Sequence, residues 1–112
     1  MWFSKKLSWA EIRKYLKENL SDYEPNIVSE RYYYESFGSG HVIYQTRGQL
    51  FCLNFDKREE QVFILKTEKP VFDFRSSTLM KTFCLWEYSN KKLALEDIGK
   101  SLKSILGNQK RD

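Results

Sequence analysis

The side chains that could perform acid–base chemistry in this chain are few and scattered. His41 is the single histidine, so any relay that needs an imidazole would have to use it. It follows a Gly-Ser-Gly segment, and no carboxylate stands at a spacing typical of a catalytic partner. Two acidic pairs, Glu59-Glu60 and Glu96-Asp97, fall in a predicted hairpin loop and on the outside of a predicted helix, where solvated charge explains them better than catalysis. The pattern favours an exposed histidine at a strand start and a protein that is not an enzyme.

The two cysteines are predicted to be structural. Cys52 and Cys84 both lie in apolar, strand-like runs. A lone pair placed in this way is typical of buried free thiols rather than of a disulfide or half of a metal site. The sequence contains no cluster of metal ligands, no nucleophile constellation and no phosphate-binding loop. We therefore expect reduced core cysteines, no metal and no cofactor.

Aromatic residues give the strongest indication of binding. In the run Arg31-Tyr32-Tyr33-Tyr34-Glu35, a strand would direct Tyr32 and Tyr34 to one face and the other three side chains to the opposite face. The simplest interpretation is that one set packs on the core and the other makes cross-strand contacts. Tyrosine also gives a large contact area at low entropic cost, which favours a surface for a partner. The candidate contact surface comprises Arg31, Tyr32, Tyr33, Tyr34, Arg47, Trp86 and Tyr88.

The same aromatic residues, interleaved with arginines, support an alternative hypothesis. Proteins that bind single-stranded nucleic acid stack bases on the aromatic side chains of a sheet. The net charge is +4, and the excess of basic residues lies at the two ends, with five basic and three acidic residues in 1–22 and six and three in 89–112. This excess of positive charge is smaller and less concentrated than the basic patch that such proteins carry. Single-stranded nucleic acid is therefore the alternative partner.

A membrane partner is not expected. Residues 1–6 combine aromatic side chains with lysines, as an interfacial anchor does. However, Leu7 and Ile12 have the spacing of a hydrophobic staple, which commits this region to capping a folded helix. No run of residues approaches the roughly eighteen apolar residues of a membrane span. The sequence predicts a cytoplasmic protein.

Two helices are predicted to frame the aromatic segment. Ser8 and Glu11 have the spacing of a capping box, so a helix is expected from Trp9 to the segment before Pro25. A second helix is expected over 91–106, with Ser89 or Asn90 as its cap, Gly107 just past its end and a frayed polar tail over 108–112. The predicted buried stripes are Trp9, Ile12, Leu16 and Leu20 in the first helix and Leu95, Ile98, Leu102 and Ile105 in the second.

Strands are predicted between the helices, where β-branched and aromatic residues alternate with short polar segments. A two-residue loop at 47–48 would place Tyr44 opposite Phe51 and Val42 opposite Leu53, although a bulged turn is an alternative for Arg-Gly. The predicted fold class is α+β, with an N-terminal helix, an antiparallel meander of five or six strands, strongly curled as one option, and a C-terminal helix in a single domain over 1–112. The strands are predicted over 27–35, 41–46, 50–56, 61–67 and 81–88, with a short extended piece over 71–74.

The predicted sheet has apolar residues on both faces. If Tyr44 and Phe51 line the inner face, the outer face receives Ile43, Leu50 and Cys52, where a one-sided sheet would be polar. Because exposed groups of this kind forfeit stability and promote aggregation, something must cover them. A helix on each face, a curled sheet, or a partner protein or second copy of the chain would each do so. The expected function is a small non-enzymatic, protein-binding or regulatory module of the adaptor or inhibitor type.

Overall fold

The computed structural model describes residues 7–33, 35, 38–46, 49–68 and 72–110, with side chains up to Gly107. Its five strands form one antiparallel sheet in the order of the chain, with a helix before and after it, so the predicted α+β meander is confirmed. The membrane-anchor hypothesis for residues 1–6 falls outside the described residues. The elements are α1 (Trp9–Asn19), β1 (Asn26–Tyr33), β2 (Ser39–Thr46), β3 (Gln49–Asp56), β4 (Gln61–Thr67), β5 (Thr78–Cys84) and α2 (Lys91–Lys110).

The first helix begins as the sequence predicted. The backbone N–H of Glu11 donates to Ser8 Oγ at 3.1 Å, and the backbone N–H of Ser8 donates to Glu11 Oε1 at 2.9 Å, which completes the capping box. The helix ends at Asn19, and a separate 3₁₀ helix, Ser21–Tyr23, follows it. The predicted stripe is confirmed as buried: Trp9, Ile12, Leu16 and Leu20.

The second helix differs from its prediction in two ways. Asn90 is the cap, since its Oδ1 accepts from the N–H of Leu93 at 2.9 Å, but α2 continues through Gly107 to Lys110. Gly107 lies beside Tyr23 inside the helix, although glycine costs roughly 1 kcal/mol there relative to alanine. The buried stripe also follows a strict i, i+4 spacing, with Leu95 and Ile105 only half-buried. Its members are Ala94, Ile98, Leu102 and Leu106.

Both helices lie on the same face of the sheet and run parallel to each other. Lys91 Nζ at the start of α2 lies 2.7 Å from Glu11 Oε2 in the first turns of α1. Further along, Gly99 faces Tyr15, where a Cβ atom would lie 2.9 Å from the ring, so a glycine permits the close approach. The helices and the inner face of the sheet together form the main core.

The register of the sheet confirms the predicted hairpin. Tyr44 pairs with Phe51 and Val42 pairs with Leu53, and the limits of β1 to β4 agree with prediction within two residues. The prediction for the last strand is wrong, because β5 begins earlier and ends at Cys84. The backbone N–H of Leu85 donates to the Glu60 carbonyl at 2.9 Å, and the chain then turns into a 3₁₀ helix with Leu85 in the core.

The outer face is covered by the connection between β4 and β5. Phe72 from this connection packs against a second cluster formed by Ile43, Leu50, Cys52 and Leu65. No helix residue joins this cluster among the described residues, so the alternative with a helix on each face is wrong. Of the short extended piece predicted at 71–74, residue 71 lies outside the described residues and Asp73 has an extended backbone, but residues 72 and 73 form no strand and Phe74 starts a 3₁₀ helix, Phe74–Ser76.

Candidate binding surface

Strand β1 forms one edge of the sheet and is the most exposed strand. Residues 26–32 are all exposed, and only Tyr33 is half-buried. Three large apolar side chains are among them: Ile27 is 41%, Val28 48% and Tyr32 54% exposed. A bulge displaces Val28 from the pairing with β2, and regular pairing resumes from Ser29 to Tyr33. The edge therefore presents backbone groups together with apolar side chains.

The two faces of β1 carry different groups, as the tyrosine run predicted. Arg31 and Tyr33 share the outer face, where the guanidinium carbon lies 5.3 Å from the centroid of the Tyr33 ring. The Tyr33 hydroxyl is 2.9 Å from Nδ1 of His41. Tyr32 pairs with Gly40 and points to the opposite, inner face. Tyr34 and Arg47, which belong to the predicted surface, lie outside the described residues.

His41 is buried, which corrects the prediction of an exposed histidine. Only 7% of the residue is exposed, because Phe74 packs edge-on against the imidazole at 6.0 Å between ring centroids. Burial lowers the pKa of His41, and the positive charge of Arg31 lowers it further. The imidazole is therefore neutral at pH 7. This contact could not be predicted from the sequence, because Phe74 comes from a distant connection.

Trp86 and Tyr88 do not extend the surface on β1. They follow β5, which is the opposite edge of the sheet and is separated from β1 by three strands. Trp86 is half-exposed in the 3₁₀ helix after β5. Tyr88 packs on the main core, and its hydroxyl donates to Asp97 Oδ2 at 2.5 Å. Burial, followed by the bond to Asp97, raises the pKa of Tyr88.

Strand β5 provides a second exposed edge that the sequence analysis missed. Leu79 is 54% exposed and Met80 is 44% exposed. Met80 stands out of register between Leu79 and Lys81, so this edge is bulged as well. The ammonium of Lys81 lies 5.3 Å from the centroid of the Phe83 ring. The prediction started this strand at Lys81, and the two exposed residues were therefore not assigned to it.

A cleft of about 580 Å³ opens between α1 and β1. At one end, Arg13 forms two bonds to Glu30, Nε to Oε2 at 2.6 Å and Nη2 to Oε1 at 3.1 Å. The cleft could not be predicted from the sequence, because it depends on how a helix approaches an edge strand. The spacing of Arg13 and Lys17, one helical turn apart, was the available signal.

The remaining observations concern metals, thiols and membranes. Among the residues that the structure describes, no group of three His, Cys, Asp or Glu side chains could hold a metal ion. Cys52 and Cys84 are free thiols, and burial raises the pKa of Cys52 to about 12. In the described part of the chain, neither helix has the length and apolar character needed to cross a membrane.

Comparisons with protein families, with curated proteins and with solved structures find no match for this chain. Its class is therefore defined by the architecture alone. It is an α+β meander that carries two parallel helices on one face, a covering connection on the other, and an exposed, bulged strand at each edge.

Proposed function

We propose that this protein is a small non-enzymatic binding module, of the adaptor or inhibitor type, that pairs with an extended segment of a partner protein along β1. The observation that carries the proposal is the exposure of seven of the eight residues of β1. The backbone of an edge strand presents unpaired N–H and C=O groups, which a partner strand can satisfy. The regular stretch from Ser29 to Tyr33 is the part available for such pairing.

The side chains of β1 supply the energy and selectivity that main-chain pairing lacks. Tyrosine and arginine are enriched among the residues that dominate binding energy at protein interfaces. Tyr32 is more than half exposed, and Arg31 stands beside it on the other face. Full burial of a large apolar side chain is worth about 1.5–3 kcal/mol, so a partner covering Tyr32 and Val28 would gain a useful fraction of that from each.

The other edge is a weaker candidate. Strand β5 exposes Leu79 and Met80 but carries Lys81 between them and the core residue Phe83. Lysines on edge strands discourage pairing, and lysine is depleted at protein interfaces. The two edges therefore offer similar apolar exposure with different residue chemistry, which makes β5 the natural control.

A protein partner is favoured over single-stranded nucleic acid. Base stacking needs a free aromatic face next to cations. The ring of Tyr33 already has the Arg31 guanidinium over it and the His41 ring 5.5 Å away, and its hydroxyl bonds to the imidazole. Glu35 adds an exposed negative charge to the same part of the chain. A nucleic-acid base would therefore find the Tyr33 ring already in contact with Arg31 and His41.

The test is a selection of extended peptides from a random displayed library on the wild-type protein, followed by affinity measurements with two variants. Tyr32→Ser removes the exposed aromatic of β1, and Leu79→Ser is the matched control, because both side chains are 54% exposed. Selected peptides should lose at least about tenfold in affinity with Tyr32→Ser, as expected for a central aromatic contact. They should bind Leu79→Ser as they bind wild type.

Two outcomes would contradict the proposal. In the first, Leu79→Ser weakens the peptides and Tyr32→Ser does not, which would move the site to β5. In the second, no peptide is selected, whereas oligonucleotides are retained at low salt and released as the salt concentration rises, the signature of phosphate binding.

A further inference from the structure

The cleft between α1 and β1 has a polar end and an apolar end. The apolar wall consists of Leu16 and Leu20 from α1, Pro25, and Ile27 from β1. The polar end contains the Arg13–Glu30 ion pair together with Lys14 and Lys17. A cleft of about 580 Å³ lies within the range of roughly 300–1,000 Å³ that small-molecule sites occupy.

The charges at the polar end favour an anion. Arg13 engages Glu30 with two bonds, and together with the positive charge of Lys17 it lowers the pKa of the Glu30 carboxyl group. The negative charge of Glu30, the single carboxylate that lines the cleft, is therefore compensated by Arg13. Three cations and one carboxylate line it, which leaves a formal charge of +2. Lys14 and Lys17 are both exposed, so their ammonium groups remain free to approach a ligand.

A buried hydroxyl group marks the same end of the cleft. Tyr44 lines the cleft, and the residue is 1% exposed. Among the described residues, no polar group has hydrogen-bonding geometry to its hydroxyl, although the Arg13 guanidinium lies close enough to favour the ionised form. Burial raises the pKa of Tyr44 to about 12, and the charges of Arg13 and Glu30 both act on it, which places the hydroxyl beside the ion pair. A buried hydroxyl without a partner is costly, and an anionic oxygen would satisfy it.

We propose that this cleft binds a free amphipathic monocarboxylate. The carboxylate would accept from the Tyr44 hydroxyl and lie next to Arg13 and Lys17, while the alkyl chain would lie along Leu20, Pro25 and Ile27. Because the hydroxyl is buried in the free protein, the side chain of Arg13, which lies beside it, must move aside for the ligand to reach it. The proposal goes beyond strand pairing at β1 and does not depend on it.

The probe is decanoate, titrated into the full chain and followed by calorimetry and by amide chemical shifts. Decanoate should saturate a single site, with the largest shifts in α1 and at Tyr44. Decyltrimethylammonium has a comparable alkyl chain and the opposite charge, and it should not bind the cleft. Acetate carries the head group alone and should bind at least about tenfold more weakly, because it buries no chain.

Variants separate binding from folding. Tyr44→Phe should weaken decanoate about tenfold, as expected for a lost hydrogen bond to a charged group, while the thermal midpoint stays the same or rises because a buried unpaired hydroxyl has been removed. Lys17→Glu reverses an exposed charge without touching the core and should abolish measurable binding. Lys100→Gln, an exposed lysine on α2 away from the cleft, and Tyr32→Ser should both bind as wild type does.

The proposal would be overturned if decanoate failed to saturate the wild-type site or if the cationic probe bound equally well. Unchanged affinity in Tyr44→Phe or in Lys17→Glu would also overturn it, and the second variant decides the matter if the first does not fold. Retention on anionic vesicles, or binding of an acidic peptide at this cleft without binding of free decanoate, would assign the cleft to a different class of partner.

Discussion

Gly40 in β2 lies beneath the indole of Trp9, and this contact leaves no room for a side chain. Trp9 stacks on Phe55 with ring centroids 6.4 Å apart, so the indole is held in place. A Cβ atom at residue 40 would lie 2.6 Å from the indole ring. Gly40→Ala should therefore lower the free energy of unfolding by about 1–3 kcal/mol, the usual cost of overpacking a core. Urea denaturation measures this change.

At Gly107, in contrast to Gly40, substitution by alanine is expected to stabilise the protein. It lies inside α2, where an added Cβ would be 3.4 Å from the Tyr23 ring, an ordinary contact distance. Gly107→Ala should raise the free energy of unfolding by about 0.5–1 kcal/mol, because alanine loses less backbone entropy in a helix. If Gly107 instead ended the helix in a left-handed conformation, as the sequence suggested, the same substitution would destabilise the protein.

His41 should make stability depend on pH near neutrality. Its pKa is lowered in the folded state from the usual 6.5, first by burial and then by Arg31. On acidification the unfolded chain takes up the proton first, so the free energy of unfolding should fall as the pH drops from 7 through 6.5 towards the folded pKa. Glu11 and Glu30 also have lowered pKa values, but these carboxyl groups change the free energy of unfolding only at lower pH.

Equilibrium unfolding at several pH values tests this prediction, and His41→Asn is the control. As the only histidine is then absent, the fall in stability over this window should flatten. An imidazole that titrates at or above 6.5 in the folded protein would show that His41 is not held neutral by its surroundings.

At the scale of elements, the connection between β4 and β5 acts as the cover of the outer face. Phe72 is its contact with Ile43, Leu50 and Cys52. Phe72→Ala should lower the free energy of unfolding by about 2 kcal/mol, less than for a fully buried phenylalanine because the ring is half-buried. In a Cys84→Ser background, Phe72→Ala should also speed the reaction of Cys52 with a thiol reagent.

Phe74→Ala is the matched control for this element. Phe74 belongs to the same connection but is 50% exposed and does not join the cluster around Cys52; its ring packs edge-on against His41 and against Phe72, at 4.8 Å between the phenylalanine centroids. Because it supports Phe72 without covering the thiol, Phe74→Ala should raise the reactivity of Cys52 clearly less than Phe72→Ala does. Equal reactivity of Cys52 in the wild-type protein and in Phe72→Ala would contradict the covering role.

The elements also show which parts of the fold can be predicted from the sequence and which cannot. The start of α1 was predictable because Ser8 and Glu11 are three residues apart, and the pairing of Tyr44 with Phe51 followed from a short loop. The end of α2, the start of β5 and the cover over the outer face were not, because each depends on contacts between distant segments.

The candidate site likewise has features that the sequence predicts and features that it does not. Alternation along a strand predicted that Arg31 and Tyr33 would share a face, which the structure confirms. The burial of His41 and the placement of Trp86 on the far edge depend on the fold of the whole sheet. The cleft requires the approach of α1 to β1, and a pattern within one element does not report it.

At the scale of the whole molecule, the chain should be monomeric. Its outer apolar cluster is covered by its own connection, so the face that would otherwise need a second copy is already closed. Sedimentation equilibrium at micromolar concentration should give the monomer mass of 13.5 kDa. A dimer that Tyr32→Ser dissociates would show that β1 pairs with a second copy of the chain.

The most direct test of strand pairing at β1 is amide hydrogen exchange, measured with and without a selected peptide. Amides between Ser29 and Tyr33 that face away from β2 should exchange rapidly in the free protein and become protected in the complex, whereas the outward amides of β5 should be unaffected. Protection confined to β5, or a bound peptide that leaves the β1 amides exchanging at their free rates, would contradict the account.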